Sequence, residues 1–260
     1  MGRQHPGESV GSFVLEGFLN EIIKEDKLLA AYEIIVVPMV NPDGVIYGNF
    51  RTNLAGFDLN RQWSEPNRWL HPEVYFLKRY LSSLDNIIFS LDFHGHSKKW
   101  NSFIYACADE FISDFRLYPY IYNDICPFFE VKDCTYNITP DKIRTARVNL
   151  FKQVKKPFIF TLETAFFGYT KNDEYFRWNF KDFNTIGKGG AESLRILLMN
   201  KKKCKEYEAD VKSKDYLFDQ WAFFNKEDAG SESNPSEDEL NPVERKKKVM
   251  SDSKANKTIG

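Results

Sequence analysis

The sequence predicts an α/β fold built on a mixed, mostly parallel sheet flanked by helices. Three short apolar runs carry this reading: YEIIVVPMV at 32–40, NIIFSLDFHG at 86–95 and PFIFTLET at 157–164. Strands covered on both faces read as continuous apolar runs rather than as alternation. Between them lie segments whose apolar residues recur at helical spacing, and strands alternating with helices indicate this class.

In chain order, Phe13, Val14, Gly17, Phe18, Leu19, Ile22 and Ile23 place a helix over 9–24, with Ser9 as its expected N-cap. The run at 32–40 then reads as a buried strand, closed by the turn Asn41-Pro42-Asp43-Gly44. Residues 45–67, rich in Asn, Gly and Arg, read as a long irregular loop, the kind that usually carries function. A helix follows from Pro72 to Leu84, with proline at a favourable first-turn position. The run at 86–95 is a second strand and SFIYACA at 102–108 a third; 110–130 is aromatic and helical. A polar stretch over 131–147 leads to the strand at 157–164, and ESLRILLM at 192–199 closes the domain as a helix. From 201 the chain is rich in charge, Ser and Asn and poor in apolar residues. We therefore expect a domain over 1–200 and a charged, mobile, disordered tail over 201–260.

A chain of 260 residues with 42% hydrophobic content can bury one substantial core. Its 36 basic and 37 acidic residues nearly cancel, so no overall field favours nucleic acid or an anionic membrane. Cys107, Cys126, Cys134 and Cys204 are widely spaced, which favours a reducing compartment. No apolar run approaches the ~20 residues needed to cross a bilayer, and the N-terminus shows no secretory pattern. The expectation is a soluble, cytoplasmic protein.

His5-Pro6-Gly7-Glu8 sets an imidazole and a carboxylate three residues apart, just before a predicted helix. Catalytic zinc takes three protein ligands of this kind and keeps one position for water. Asp92-Phe93-His94-Gly95-His96 offers the missing donor at the C-terminal end of a strand, where open α/β sheets bind their ligands. Gly95 is expected to let a substrate or metal approach the backbone. Glu163 ends an apolar strand, where an unpaired carboxylate is costly and needs a partner or a task.

HPGES, NPDGVIYGNFR, LAGFDLNRQW, DFHGHS and FTLETAFFG, in this order and spacing, closely resemble the zinc carboxypeptidase family and its cytosolic carboxypeptidase branch, which includes tubulin deglutamylases. The resemblance spans roughly residues 3–200. It implies a zinc carboxypeptidase-like fold and one zinc ion per chain, held by His5, Glu8 and His94, with His96 left as a structural or outer residue. It implies Asp58 as the carboxylate behind the first histidine, Glu163 as general base and Arg51 as the group that stabilises the oxyanion. Asn60 and Arg61 match the pair that grips the terminal carboxylate; Gln62 stands where the family more often has Asn. Arg147 falls where this branch keeps a basic residue in the side-chain pocket, with Arg144 and Lys142 as nearby alternatives. Tyr136 is a candidate for the family's capping tyrosine. The implied partners are protein or peptide C-termini, acidic tubulin tails among them, in the cytoplasm at microtubules or cilia, and neither nucleic acid nor membrane. Two other readings stay open: an acidic-peptide-binding pseudo-peptidase, and a zinc acylase-type amidohydrolase. Family members carry earlier sheet strands before the first ligand, so the resemblance also implies a chain lacking its first strands, with an unpaired sheet edge.

Overall fold

The structure is a computed structural model and describes residues 1–108, 114–154, 156 and 158–213. Its first half holds α1 (Ser9–Ile22), α2 (Asp26–Ala31), α3 (Pro42–Ile46), α4 (Pro72–Ser82), β1 (Ser90–His96) and β2 (Ser102–Tyr105). The second half holds α5 (Leu117–Ile125), α6 (Ala146–Val154), β3 (Ile159–Ala165), β4 (Gly168–Lys171), β5 (Glu174–Arg177), α7 (Phe180–Met199) and α8 (Lys201–Ser213).

The central sheet runs β1-β3-β2 and is mixed: β3 pairs parallel with β1 and antiparallel with β2. Helices α1, α5 and α7 cover one face. There Leu91 and Phe93 of β1 and Phe160 and Leu162 of β3 join Val14, Phe18, Tyr122 and Ile186 in one buried cluster. On the other face, Ile159 packs with Val74 and Leu81 of α4, Val148 and Leu150 of α6, and Trp63. Strand side chains alternate between faces. The residues between the apolar ones, Asp92, His94, Thr161 and Glu163, therefore share the second face, and all are buried.

Several expectations need correction. Ser9 does not cap α1: Glu8 is the N-cap residue, and it makes no side-chain cap bond because its carboxylate is turned toward two histidines. The run 32–40 is extended but forms no regular strand, and Ile35, Val36 and Met39 are exposed. Among the described residues its sheet-like partner is the short stretch Met1–Arg3. Gly2 N donates to Val37 O and Val40 N to Gly2 O, while Phe93 N donates to Met1 O (3.0, 2.9 and 2.9 Å). Beyond Met1 the two flanking segments part around an apolar cavity of about 630 Å³, lined by Tyr32, Ile34, Val36, Ile88 and Leu91 among others. A cleft thus separates 32–37 from 86–91.

Pattern reading also missed the hairpin β4–β5, whose turn residues Asn172 and Asp173 take positive φ (52° and 62°) as a two-residue hairpin loop requires. Helix α7 begins at Phe180, well before the expected 192. Asn179 caps it, accepting from Lys181 N and Asp182 N, and Asp182 returns a bond by accepting from Asn179 N at 2.9 Å. The charged segment from 201 begins as helix α8 rather than as a tail. Val211 is buried, Cys204 and Tyr207 pack on the Leu117–Ile121–Ile196 cluster, and the Tyr207 hydroxyl bonds Asp124. The expected tail over 214–260 lies outside the described residues, as does 109–113 of the aromatic stretch. All four cysteines are free thiols, and no described helix is long and apolar enough to cross a membrane.

Candidate metal centre and active site

Three segments meet at one buried point. Met1–Arg3 is pinned to the edge of β1, and the chain then turns through Gln4–Glu8 into α1. The turn needs glycine at position 7: a Cβ there would lie 2.6 Å from the Phe50 ring and 2.8 Å from Phe50 O, the carbonyl that Gly7 N already reaches at 2.7 Å. This close approach sets His5 and Glu8 side by side and ties the 45–61 loop to them.

His5 Nδ1 lies 2.6 Å from Glu8 Oε1, and His94 Nδ1 lies 2.9 Å from Glu8 Oε2. The two imidazoles meet edge to face, 5.0 Å between centroids. One donor atom from each of the three residues falls within 4.8 Å of the others. Gly95 N also donates to Glu8 Oε2 (3.0 Å). The bare Cα of Gly95 itself admits the Phe166 ring and Val10, which a Cβ would strike at 2.3 and 2.9 Å.

Each histidine turns its other nitrogen to a carboxylate. His5 Nε2 lies 2.9 Å from Asp58 Oδ1, as expected, and His94 Nε2 lies 2.8 Å from Asp92 Oδ2. Sequence reasoning missed Asp92, although the D-x-H spacing on a strand puts both side chains on one face and could have found it. A fixed Nε2–H leaves Nδ1 as the lone pair facing the site, the outer-sphere arrangement of histidine metal ligands. Two imidazoles and one carboxylate, converging by these atoms, suit zinc. Burial opposes charge here, yet partners dominate. His5 and His94 are raised by Glu8 with Asp58 and by Asp92 with Glu8, respectively. Burial likewise pushes Glu8 and Asp58 up, but the histidines hold both carboxyls well below the usual carboxylate range.

Glu163 is paired directly with His94 across the β1–β3 ladder. Its Oε2 is buried with no hydrogen-bond partner among the described residues. Burial pushes its carboxyl up to about 7, with the Glu8 charge adding to the shift and His94 working against it. A carboxyl poised near neutrality beside a candidate metal centre is suited to moving a proton.

The loop residues divide by what they touch. Arg51 donates from Nε to Asp58 Oδ2 (3.0 Å), with Nη2 2.8 Å from the same oxygen and Nη1 4.0 Å from Glu8 Oε1. It therefore stands at the centre, braced by the carboxylate behind His5. Asn60 N donates to Asp58 Oδ1 (2.8 Å), while Asn60 Oδ1 accepts from Ala146 N (2.9 Å). Arg61 is half-buried, with Nη1 donating to Asn60 O (3.2 Å).

Of the three basic candidates for a side-chain pocket, only Arg147 is buried, 5% exposed. Arg144 is exposed, and Lys142 pairs with Asp141 at 2.7 Å. Arg147 Nη1 donates to Cys107 Sγ (3.6 Å) and its guanidinium sits 5.8 Å from the Tyr105 ring centroid. No carboxylate pairs with it among the described residues. His96 caps the turn after β1, its Nδ1 accepting from Lys98 N and Lys99 N (3.1 and 3.0 Å). Burial, with Lys99 nearby, lowers its pKa to about 4. Tyr136 packs its ring 5.3 Å from Phe115.

Comparison with known proteins gives a consistent picture. The zinc carboxypeptidase family profile matches residues 1–158. The chain is 36% identical over 190 residues to cytosolic carboxypeptidase 1 of Xenopus laevis, covering 64% of this chain and 16% of that protein. It is 35% identical over 186 residues to cytosolic carboxypeptidase 6 of Caenorhabditis elegans, covering 66% and 40%. It thus spans well under half the length of these curated relatives. Among solved structures, a metallo-carboxypeptidase from Burkholderia cenocepacia superposes with TM-score 0.65 at 24% identity, over 75% of this chain and 55% of that one. A metallo-carboxypeptidase from Pseudomonas aeruginosa gives 0.65 at 23%, over 76% and 56%. These two likenesses establish the fold.

Proposed function

The chain belongs to the zinc carboxypeptidase family, and we propose that it hydrolyses the last peptide or isopeptide bond of acidic protein tails, with terminal glutamate as its preferred leaving residue. The observation that carries the reading is the convergence of His5, Glu8 and His94 on one buried point, with Glu163 paired beside His94.

His5, Glu8 and His94 would hold zinc through Nδ1, a carboxylate oxygen and Nδ1. Zinc in such a site supplies an acidified water and a polarised scissile carbonyl. Glu163 takes the proton of the attacking water and hands it to the departing amine, the paired tasks of one general base and acid. Arg51, beside Glu8, offers its guanidinium to the oxyanion that develops on the carbonyl. The Asn60 amide and the Arg61 guanidinium receive the free terminal carboxylate; a planar fork binds a carboxylate bidentately, which confines cleavage to chain ends. Arg147, buried against Cys107 and Tyr105 without a carboxylate of its own, is the group that would pair with an acidic terminal side chain.

The names of the relatives support a cytoplasmic setting, and the acidic preference makes glutamate-rich tubulin tails candidate substrates. The direct test is release of the last residue from synthetic peptides ending in Glu, Ala or Lys by the zinc-loaded protein. Glutamate release that depends on zinc supports the reading. Zinc binding without release from any peptide would leave a binding protein, and cleavage of small N-acyl amino acids instead would make it an amidohydrolase.

A further inference from the structure

Behind His94 runs a hydrogen-bond chain of fixed polarity that crosses three separate segments. Trp63 Nε1 donates to Gln4 Oε1 at 2.8 Å, Gln4 Nε2 donates to Asp92 Oδ2, and the same Asp92 oxygen lies 2.8 Å from His94 Nε2. Trp63 and Gln4 are wholly buried, Asp92 and His94 nearly so. Asn41 Nδ2 reaches Gln4 O at 3.2 Å and anchors its backbone.

The polarity is dictated from the Trp63 end. An indole N–H can only donate, so the Gln4 side-chain oxygen must be the atom that accepts from Trp63. This gives the Gln4 amide one orientation, oxygen to Trp63 and nitrogen to Asp92. Asp92 Oδ2 therefore receives the Gln4 amide N–H, and the same oxygen faces His94 Nε2. Asp92 thus accepts from His94 Nε2–H, and His94 must present Nδ1 as its lone pair to the site. A flipped or missing Gln4 amide would set an oxygen against Asp92 or leave that carboxylate without its second donor.

We propose that Trp63 and Gln4 are positioning residues for the metal centre, locking the His94 tautomer and ring through Asp92. This rests on the zinc reading above. Neither residue is among the three whose donor atoms converge at the candidate centre. Asp58, behind His5, is held differently, by Arg51 and Asn60 N, so the two histidines have separate supports and can be perturbed separately.

The test uses the whole chain with Trp63→Phe and Gln4→Glu. Phe keeps the aromatic bulk and deletes only the donor. Glu keeps an acceptor for Trp63 and sets a carboxylate against Asp92. Zinc affinity is read by competition with a chromophoric chelator. The His94 Nε2–H is read as a downfield, slowly exchanging ¹H–¹⁵N resonance of the zinc-loaded protein, and thermal unfolding of the zinc-free protein checks the fold. Each variant is expected to weaken zinc binding by about 10–100-fold, as loss of outer-sphere partners does, and to broaden or shift the His94 resonance while leaving that of His5 in place. Variants that unfold at lower temperature yet bind zinc as tightly as wild type, with the His94 resonance unmoved, overturn the proposal and leave Trp63 and Gln4 as packing residues. A wild-type protein that binds no zinc overturns the metal reading itself, and this inference with it.

Discussion

His94 and Glu163 are direct neighbours in the parallel β1–β3 ladder, their Cα atoms paired and their side chains on one buried face. A slip of one residue in that register would send Glu163 to the opposite face, among Phe160 and Leu162. Placement of Glu163 beside His94 therefore depends on strand pairing between parts of the chain nearly seventy residues apart.

From this pairing follows the sharpest prediction for the chemistry. Glu163→Gln preserves shape and removes the carboxylate proposed as base, so peptide release should fall by about 10²–10⁴-fold while zinc stoichiometry stays at wild type. Metal analysis on the same preparation as the kinetic assay checks both. Retained turnover would remove Glu163 from the mechanism.

Asp58 accepts from His5 and is gripped by Arg51. Asp58→Asn keeps the size and loses the charge; its zinc affinity should fall by roughly 10–100-fold. Because Arg51 loses its brace, kcat should fall even at saturating zinc. A variant with weaker zinc binding and unchanged kcat when loaded would show that Arg51 does not need Asp58.

The pH dependence of metal binding has a definite sign. In the metal-free protein His5 and His94 are raised above their ordinary value by the facing carboxylates. Zinc must displace those protons, so affinity should tighten as pH rises through neutrality. Calorimetry in buffers of differing ionisation enthalpy should show net proton release. For folding of the metal-free protein the same raised histidines stabilise fully below about pH 6.5, and this contribution fades as pH rises through their folded values. Glu8 and Asp58, lowered in the fold, stabilise above about pH 4, and that contribution is lost on acidification. Urea titrations across this range check both limbs; a zinc affinity flat with pH would contradict the assignment.

Arg147 offers the specificity test. Arg147→Met keeps length and apolar contact with Tyr105 but removes the charge. KM for peptides ending in Glu should rise by about an order of magnitude or more, with peptides ending in Leu unaffected or improved, because a buried, charge-assisted bidentate contact is lost. Arg147→Lys should not rescue, since an ammonium lacks the planar fork. Equal effects on Glu- and Leu-ended peptides would place Arg147 outside the side-chain pocket.

Much of this protein was legible along the chain because local patterns carry it. The helical spacing after Glu8, the proline-started helix at 72 and the apolar strands around 90 and 160 all appear where expected, displaced by a few residues. The residues of the candidate metal centre were legible for the same reason, since H-x-x-E before a helix and D-x-H on a strand are short-range spacings. Reading failed where the outcome depended on neighbours far away. The run 32–40 looks like a buried strand, yet whether it joins a ladder depends on what lies beside it, and among the described residues Met1–Arg3 alone pairs with it.

The sequence by itself thus determined the donor chemistry, the local elements and the set of residues able to hold a metal and move a proton. Only the tertiary structure decided that His94 faces Glu163, that Arg147 rather than Arg144 or Lys142 is buried, and that Trp63, Gln4 and Asp92 stand in line behind one histidine. Periodicity and spacing report what a residue does to its own helix or strand, whereas convergence of buried polar groups is set by packing and register between segments that chain order leaves far apart.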